Sequence, residues 1–238
     1  LGVSKGKEKG ETVVFWRPGY SNGTDNPQPM TRPDALIFDF GQVLIDLDMD
    51  RAKASFAALG IPDLDAMFSL LKADPLFIRL EVGEVDAPAF HEAVRDMTGT
   101  DVSGEAIDEA WNSLLADYRL ESLRFVDKLR RRMPVYLYSN TNAIHYESFQ
   151  RTLRETTPYQ RLEDLFTRAY FSHTMGMRKP GPEGYLHILS ENLLDPARTL
   201  FVDDHPDNIR GAADVGLQTH RLLAGERVET LLSHLLEG

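Results

Sequence analysis

Three short apolar runs each stop at an acidic or hydroxyl residue. Ala35-Leu36-Ile37-Phe38 ends at Asp39, Val135-Tyr136-Leu137-Tyr138 at Ser139, and Leu200-Phe201-Val202 at Asp203-Asp204. Unbroken apolar runs mark strands covered by helices on both faces, and open parallel sheets place ligands beyond the carboxyl ends of such strands. Each run therefore reads as a buried strand that delivers a polar residue to one sheet rim.

From about Met49 to Tyr118 the periodicity is helical and no strand stands out. Ala52, Phe56 and Leu59 fall at helical spacing; so do Phe90, Val94 and Met97 after a cap at Asp86, and Ile107, Trp111, Leu115 and Tyr118 after Ser103. From Glu121 onward helix and strand alternate. A basic amphipathic helix runs to Arg132, a helix follows Asn142, a short strand lies at Ala169-Tyr170-Phe171, a helix follows Pro182, and another runs from Pro206 to Val215. That is the rhythm of βα units. The fold class expected is α/β: a doubly wound, parallel-sheet, Rossmann-like core with an inserted α-helical cap. Residues 1–33 read as a flexible tail, 34–48 and 119–238 as the core, and 49–118 as the cap. In the tail only Val13-Val14-Phe15-Trp16 offers apolar surface to dock, and Met30, just ahead of the first strand, is a candidate internal start.

Composition narrows the chemistry. With no cysteine among 238 residues, disulfides, thiolate nucleophiles and Cys-ligated zinc are excluded, leaving carboxylates, histidines, hydroxyls and lysines. A net charge of −11 argues against general affinity for nucleic acid or anionic membrane. No apolar stretch approaches the roughly 20 residues that span a bilayer, and no signal-peptide segment opens the chain, so a cytoplasmic protein is expected.

Four signals follow in order. Asp39 lies in Phe38-Asp39-Phe40-Gly41-Gln42-Val43-Leu44, Ser139 in Leu137-Tyr138-Ser139-Asn140-Thr141-Asn142, Lys179 in Gly176-Met177-Arg178-Lys179-Pro180, and Asp203-Asp204 opens Val202-Asp203-Asp204-His205-Pro206-Asp207-Asn208. In this order they resemble the four motifs of the haloacid dehalogenase-like (HAD) hydrolase superfamily, over essentially all of residues 34 to 222. The chain is most similar to the capped branch that contains bacterial α-D-glucose-1-phosphate phosphatase and the N-terminal phosphatase domain of soluble epoxide hydrolase. The resemblance implies a Mg²⁺-dependent phosphatase acting on a small phosphorylated metabolite. It assigns Asp39 as the nucleophile and a metal ligand, with further ligation by the Gly41 carbonyl and Asp204 and support from Asp203. Ser139 and Asn140 would bind phosphoryl oxygens, and Lys179 would balance their charge. The physics agrees: a carboxylate is a competent nucleophile toward phosphorus once a divalent cation neutralises the phosphate, and Mg²⁺ takes oxygen ligands.

One position departs from the family pattern. Most family phosphatases carry a second Asp two residues after the nucleophile as general acid, and here that residue is Gly41. Loss of a general acid typically costs about 10²–10⁴ in rate, which favours good leaving groups such as sugar 1-phosphates. The alternating Asp46, Asp48 and Asp50 read as the solvated face of a flap rather than a replacement. His145, His205 and Trp111 read as packing or hydrogen-bonding residues. The turn Glu81-Val82-Gly83-Glu84-Val85 is the candidate specificity element, with Glu81 and Glu84 offering acceptors to sugar hydroxyls around Gly83. Two rivals stand beside this reading: a metal-independent 2-haloacid dehalogenase, and a catalytically silent binding or regulatory module. The paired acids Asp203-Asp204 argue against the first, since they would only repel a carboxylate substrate.

Overall fold

The computed structural model describes residues 32–60 and 76–237, so the expected tail lies outside the described residues except for Arg32 and Pro33. The three apolar runs form β1 (Ala35–Phe38), β4 (Val135–Ser139) and β6 (Thr199–Asp203), and every residue in them is buried. All three belong to one parallel sheet in the order β5-β4-β1-β6-β7, where β5 is Arg168–Phe171 and β7 is Gln218–Arg221. Alternate residues feed opposite layers. Leu36 and Phe38 join a core with Leu123, Val126, Leu137 and Phe149, while Ala35 and Ile37 join Tyr136, Tyr138, Tyr185 and Phe201 on the other face. Burying each large side chain stabilises the fold by roughly 1.5–3 kcal/mol, which is why the runs are apolar at every position. From β1 the chain moves outward through β4 to β5, then returns to build β6 and β7 on the other side. The direction of winding therefore reverses around β1, and that reversal opens a crevice at its carboxyl end.

Among the described residues the inserted helices are α1 (Met49–Ala58), α2 (Leu76–Glu81), α3 (Ala87–Thr98) and α4 (Gly104–Asn112). The expected caps are in place: Asp86 accepts from the Ala89 amide and Ser103 from the Ala106 amide. Ala52, Phe56, Phe90, Val94, Ile107 and Trp111 close into a core of their own, joined by Ile144 from α6 (Ala143–Thr156).

The expectation that helical periodicity continues through Leu115 and Tyr118 is corrected. Helix α4 stops at Asn112, and Leu115–Tyr118 form β3, antiparallel to β2 (Ile45–Leu47). The ladder pairs Ile45 with Tyr118 and Leu47 with Leu115, so three steps on one strand oppose two on the other. That irregularity turns residues three apart toward the same side, and both Leu115 and Tyr118 pack on the main core. A three-residue apolar spacing reads as helix unless the bulge is known. The Arg51 guanidinium, which donates to the carbonyls of Ser113 and Leu115, secures the change of direction.

Strands β2 and β3 form the flap, and Arg119 anchors it. Its guanidinium donates to Asp46 Oδ1 at 2.7 Å, to Gln42 Oε1 at 3.2 Å and to the Gln42 carbonyl, while its amide donates to the Leu44 carbonyl at 2.9 Å. Asp46 is thus an ion-pair partner, Asp48 caps α1 through the Arg51 amide, and Asp50 sits exposed in the first turn of that helix.

Cap and core meet at His145. Its ring stacks on Trp111 with centroids 4.9 Å apart, and Nδ1 lies 2.9 Å from Asn112 Oδ1. Burial pushes the imidazole down to about 3, so it stays neutral in the fold. The unfolded chain takes up a proton below about pH 6.5, so this stabilising term is present above that pH and is lost as pH falls. Urea denaturation at pH 7 and pH 5 is expected to show a loss of about 2 kcal/mol from this group, and His145→Gln is expected to shrink the pH dependence by that amount.

Candidate active site

Strands β4, β1 and β6 end side by side, so the residues that follow them share one rim. Asp39 leaves β1 with its amide donating to the Val202 carbonyl at 2.9 Å, which keeps it in register with Asp203. Between the two lies Lys179, only 1% exposed: its ammonium donates to Asp39 Oδ1 at 2.5 Å and to Asp203 Oδ2 at 2.7 Å. Asp203, wholly buried, also accepts from the His205 amide at 2.7 Å and from Asn208 Nδ2 at 3.0 and 3.1 Å. Its lone pairs are committed to protein donors.

Lys179 reaches the rim from the loop after α7 (Ser172–Met175), ahead of α8 (Pro182–Glu191). Asn140 holds it there. The Asn140 side chain accepts from the Lys179 amide and donates to the Lys179 carbonyl, each at 2.9 Å, as a neighbouring strand would. Ser139, the last residue of β4, is 2% exposed beside this clip. Asn142 then caps α6 by accepting from the His145 amide, and His205 does the same for α9 (Pro206–Asp214) through the Asp207 amide.

The electrostatics follow from this crowding. Burial pushes the Asp39 carboxyl up to about 7, the Asp203 charge adds to that, and Lys179 opposes it. Burial and Asp203 likewise raise Asp204. For Lys179, burial works against the ammonium, but the Asp203 and Asp39 charges override it and hold the group above the ordinary lysine range. Asp39, Asp203 and Asp204 each offer a carboxylate oxygen, and these lie within 4.8 Å of one another. Three carboxylates thus face one ammonium, and a hard divalent cation with oxygen ligands fits that uncompensated charge.

Gly41 bridges to Ile45, and a side chain added there would begin 3.1 Å from Leu47 Cδ1. The turn read from the sequence as the candidate specificity element also has a defined place. Glu81 ends α2 and its Oε2 accepts from Arg178 Nε at 2.7 Å, while Glu84 lies exposed, 3.6 Å from Arg79. Gly83 has φ +74°, and its Cα sits so close to the His173 carbonyl that a Cβ would stand 2.2 Å from that oxygen. Trp111 lies in the cap core, stacked on Phe77.

Sequence reasoning missed three contributors: Asn208 beneath Asp203, the Asn140 side chain, and Arg178. The first had a signal, because a polar residue one turn into a helix that follows an acidic pair faces back toward that pair. The other two depend on tertiary contacts across 39 and 97 positions, which local pattern does not encode.

The model for haloacid dehalogenase-like hydrolases matches residues 33–216. D-ribitol-5-phosphate phosphatase of Bacteroides thetaiotaomicron is 31% identical over 184 residues, covering 77% of this chain and 89% of that protein. A HAD family enzyme from the same organism, solved in complex with magnesium and inorganic phosphate, is 35% identical with a TM-score of 0.75, covering 84% of this chain and 98% of that one. A HAD-like family hydrolase from Porphyromonas gingivalis is 28% identical with a TM-score of 0.76, covering 88% and 99%. The match takes in both the sheet that carries the acids and the helices inserted above it, and on that basis the chain belongs to the haloacid dehalogenase-like hydrolase family.

Proposed function

We propose that this protein is a Mg²⁺-dependent phosphohydrolase that works through an aspartyl-phosphate on Asp39 and acts on a phosphorylated sugar or polyol. The observation that carries this reading is the buried Asp39–Lys179–Asp203 bridge with Asp204 alongside, at the carboxyl ends of β1 and β6. A phosphatase relative and a related structure that holds magnesium and phosphate support it. Asp39 would attack phosphorus through one carboxylate oxygen as the ester oxygen departs with the P–O electron pair. Water would then attack the phosphorus of the acyl phosphate, releasing inorganic phosphate and restoring Asp39. Ser139 and the Asn140 amide would donate to the phosphoryl oxygens while Lys179 balances their charge, all of it electrostatic work directed at the transition state. Magnesium, held by Asp39, Asp204 and the Gly41 carbonyl, would neutralise charge between the carboxylate and the phosphoryl group. Asp203 would act from behind, since its oxygens already accept from Lys179, His205 and Asn208.

Gly41 bears on the substrate. With no acid two residues after Asp39, the departing oxygen lacks its usual proton donor, and a hemiacetal oxygen tolerates that better than a simple alkoxide. A sugar 1-phosphate is therefore favoured on chemical grounds, whereas the relative's name points to a polyol 5-phosphate.

Phosphate release measured with Mg²⁺ and with excess chelator tests the whole reading: turnover is expected only with the metal, and halide release from a 2-haloacid in chelator would replace this reading with dehalogenation. Asp39→Asn is expected to cut kcat by a factor on the order of 10⁴ or more with the fold intact, because an amide fills the same space without the anionic nucleophile. In a magnesium titration Asp204→Ala is expected to raise the half-saturating concentration more than Asp203→Ala does, whereas Asp203→Ala is expected to lower the urea midpoint more, since the His205 amide, the Asn208 side chain and Lys179 each lose a buried acceptor. A third measurement is kcat/KM across phosphates of graded leaving-group pKa, expected to fall steeply toward simple alkyl phosphates. A flat dependence with chemistry rate-limiting would mean that another group supplies the proton.

A further inference from the structure

Helix α2 ends at Glu81, and the turn that follows is tied to the helix by its own backbone. Val82 donates to the Ile78 carbonyl at 2.9 Å, Gly83 to Leu80 at 3.2 Å and Glu84 to Arg79 at 2.8 Å. Two contacts then join this cap turn to the core. The first is the 2.7 Å ion pair from Glu81 to Arg178, and the second is the backbone contact of Gly83 on the His173 carbonyl, a fit that leaves no room for a side chain. Both core partners lie in the segment 173–178, immediately before Lys179. That segment is itself fixed at its far end, because Asn140 grips the Lys179 backbone from both sides. Lys179 therefore does not need the cap to stay in place, and the two contacts do their work on the cap.

We propose that Glu81 is a positioning residue whose ion pair with Arg178, together with the Gly83 contact, clasps the cap turn 82–85 onto the lysine loop and so sets how tightly the non-phosphate part of the substrate is held. Glu81 then serves Arg178 rather than a substrate hydroxyl. The Glu81 and Arg178 side chains are 29% and 32% exposed, so the pair is partly screened by solvent and contributes modestly. Neither residue belongs to the cap core around Trp111, so loss of either partner loosens one specific contact and leaves that core in place.

The test uses the full chain and two lesions that differ in chemistry. Glu81→Gln removes the charge and keeps the shape, whereas Gly83→Ala keeps the ion pair and forces the backbones apart. Hydrogen exchange followed by mass spectrometry is expected to speed by about fivefold or more, in both variants, across 82–85 and 173–178, while β1 and β6 keep their protection. The kinetic half rests on the phosphohydrolase reading: for α-D-glucose 1-phosphate and D-ribitol 5-phosphate, KM is expected to rise about five- to tenfold in both variants, with kcat changing by less than about twofold. Unaltered exchange in 173–178 overturns the clasp, and so does a loss of kcat at unchanged KM. A wild-type protein that hydrolyses no phosphate ester overturns the phosphohydrolase reading instead, and the exchange data then decide the clasp alone.

Discussion

A single ammonium group, that of Lys179, joins three distant parts of the chain at one point. It bridges Asp39, 140 positions earlier, and Asp203, 24 positions later, at a buried point of the rim. Removing one partner from such a buried arrangement typically costs about 3–5 kcal/mol because it strands an uncompensated charge. The sheet has to keep β1 and β6 in register so that the two carboxylates present themselves to one donor, and the apolar layers on both faces keep that register from slipping. The same low-dielectric setting that makes the bridge costly to break also strengthens any field it exerts on a bound anion.

Above this fixed rim the inserted helices behave as a separately cored body. Phe56, Phe90 and Trp111 pack among themselves, and among the described residues the body meets the core at the Trp111–His145 stack, at Ile144 and at the Glu81 turn. These contacts are dissimilar in kind: an aromatic stack, an apolar side chain and an ion pair.

Much of this was legible in the chain. Strands β1, β4 and β6 announced themselves by unbroken apolar runs, and the polar residue at each end marked the rim, because burial on both faces demands one and the winding reversal demands the other. Asp86, Ser103 and Asn142 capped the helices expected to follow them. What stayed hidden was hidden for physical reasons. Strand β7, Gln218-Thr219-His220-Arg221, lies at a sheet edge and carries no apolar signal. Strand β3 mimicked a helix because its ladder is irregular. Arg119 looks like any solvated arginine until the flap folds over it and supplies its partners.

The Asn140 clip has a topological consequence. Because its amide closes on both sides of Lys179, the segment between the two residues, which carries helices α6 and α7 and strand β5, leaves and returns at one point. The same segment is also fastened along the β4–β5 ladder and, through His173 and Arg178, to the cap turn. Its length and its outer surface can drift through insertions and exchanges while the attachment holds the reactive groups still, much as a long surface loop adds little entropic penalty once its ends are fastened. One asparagine side chain thus uncouples the placement of Lys179 from the length of chain that lies between the two residues.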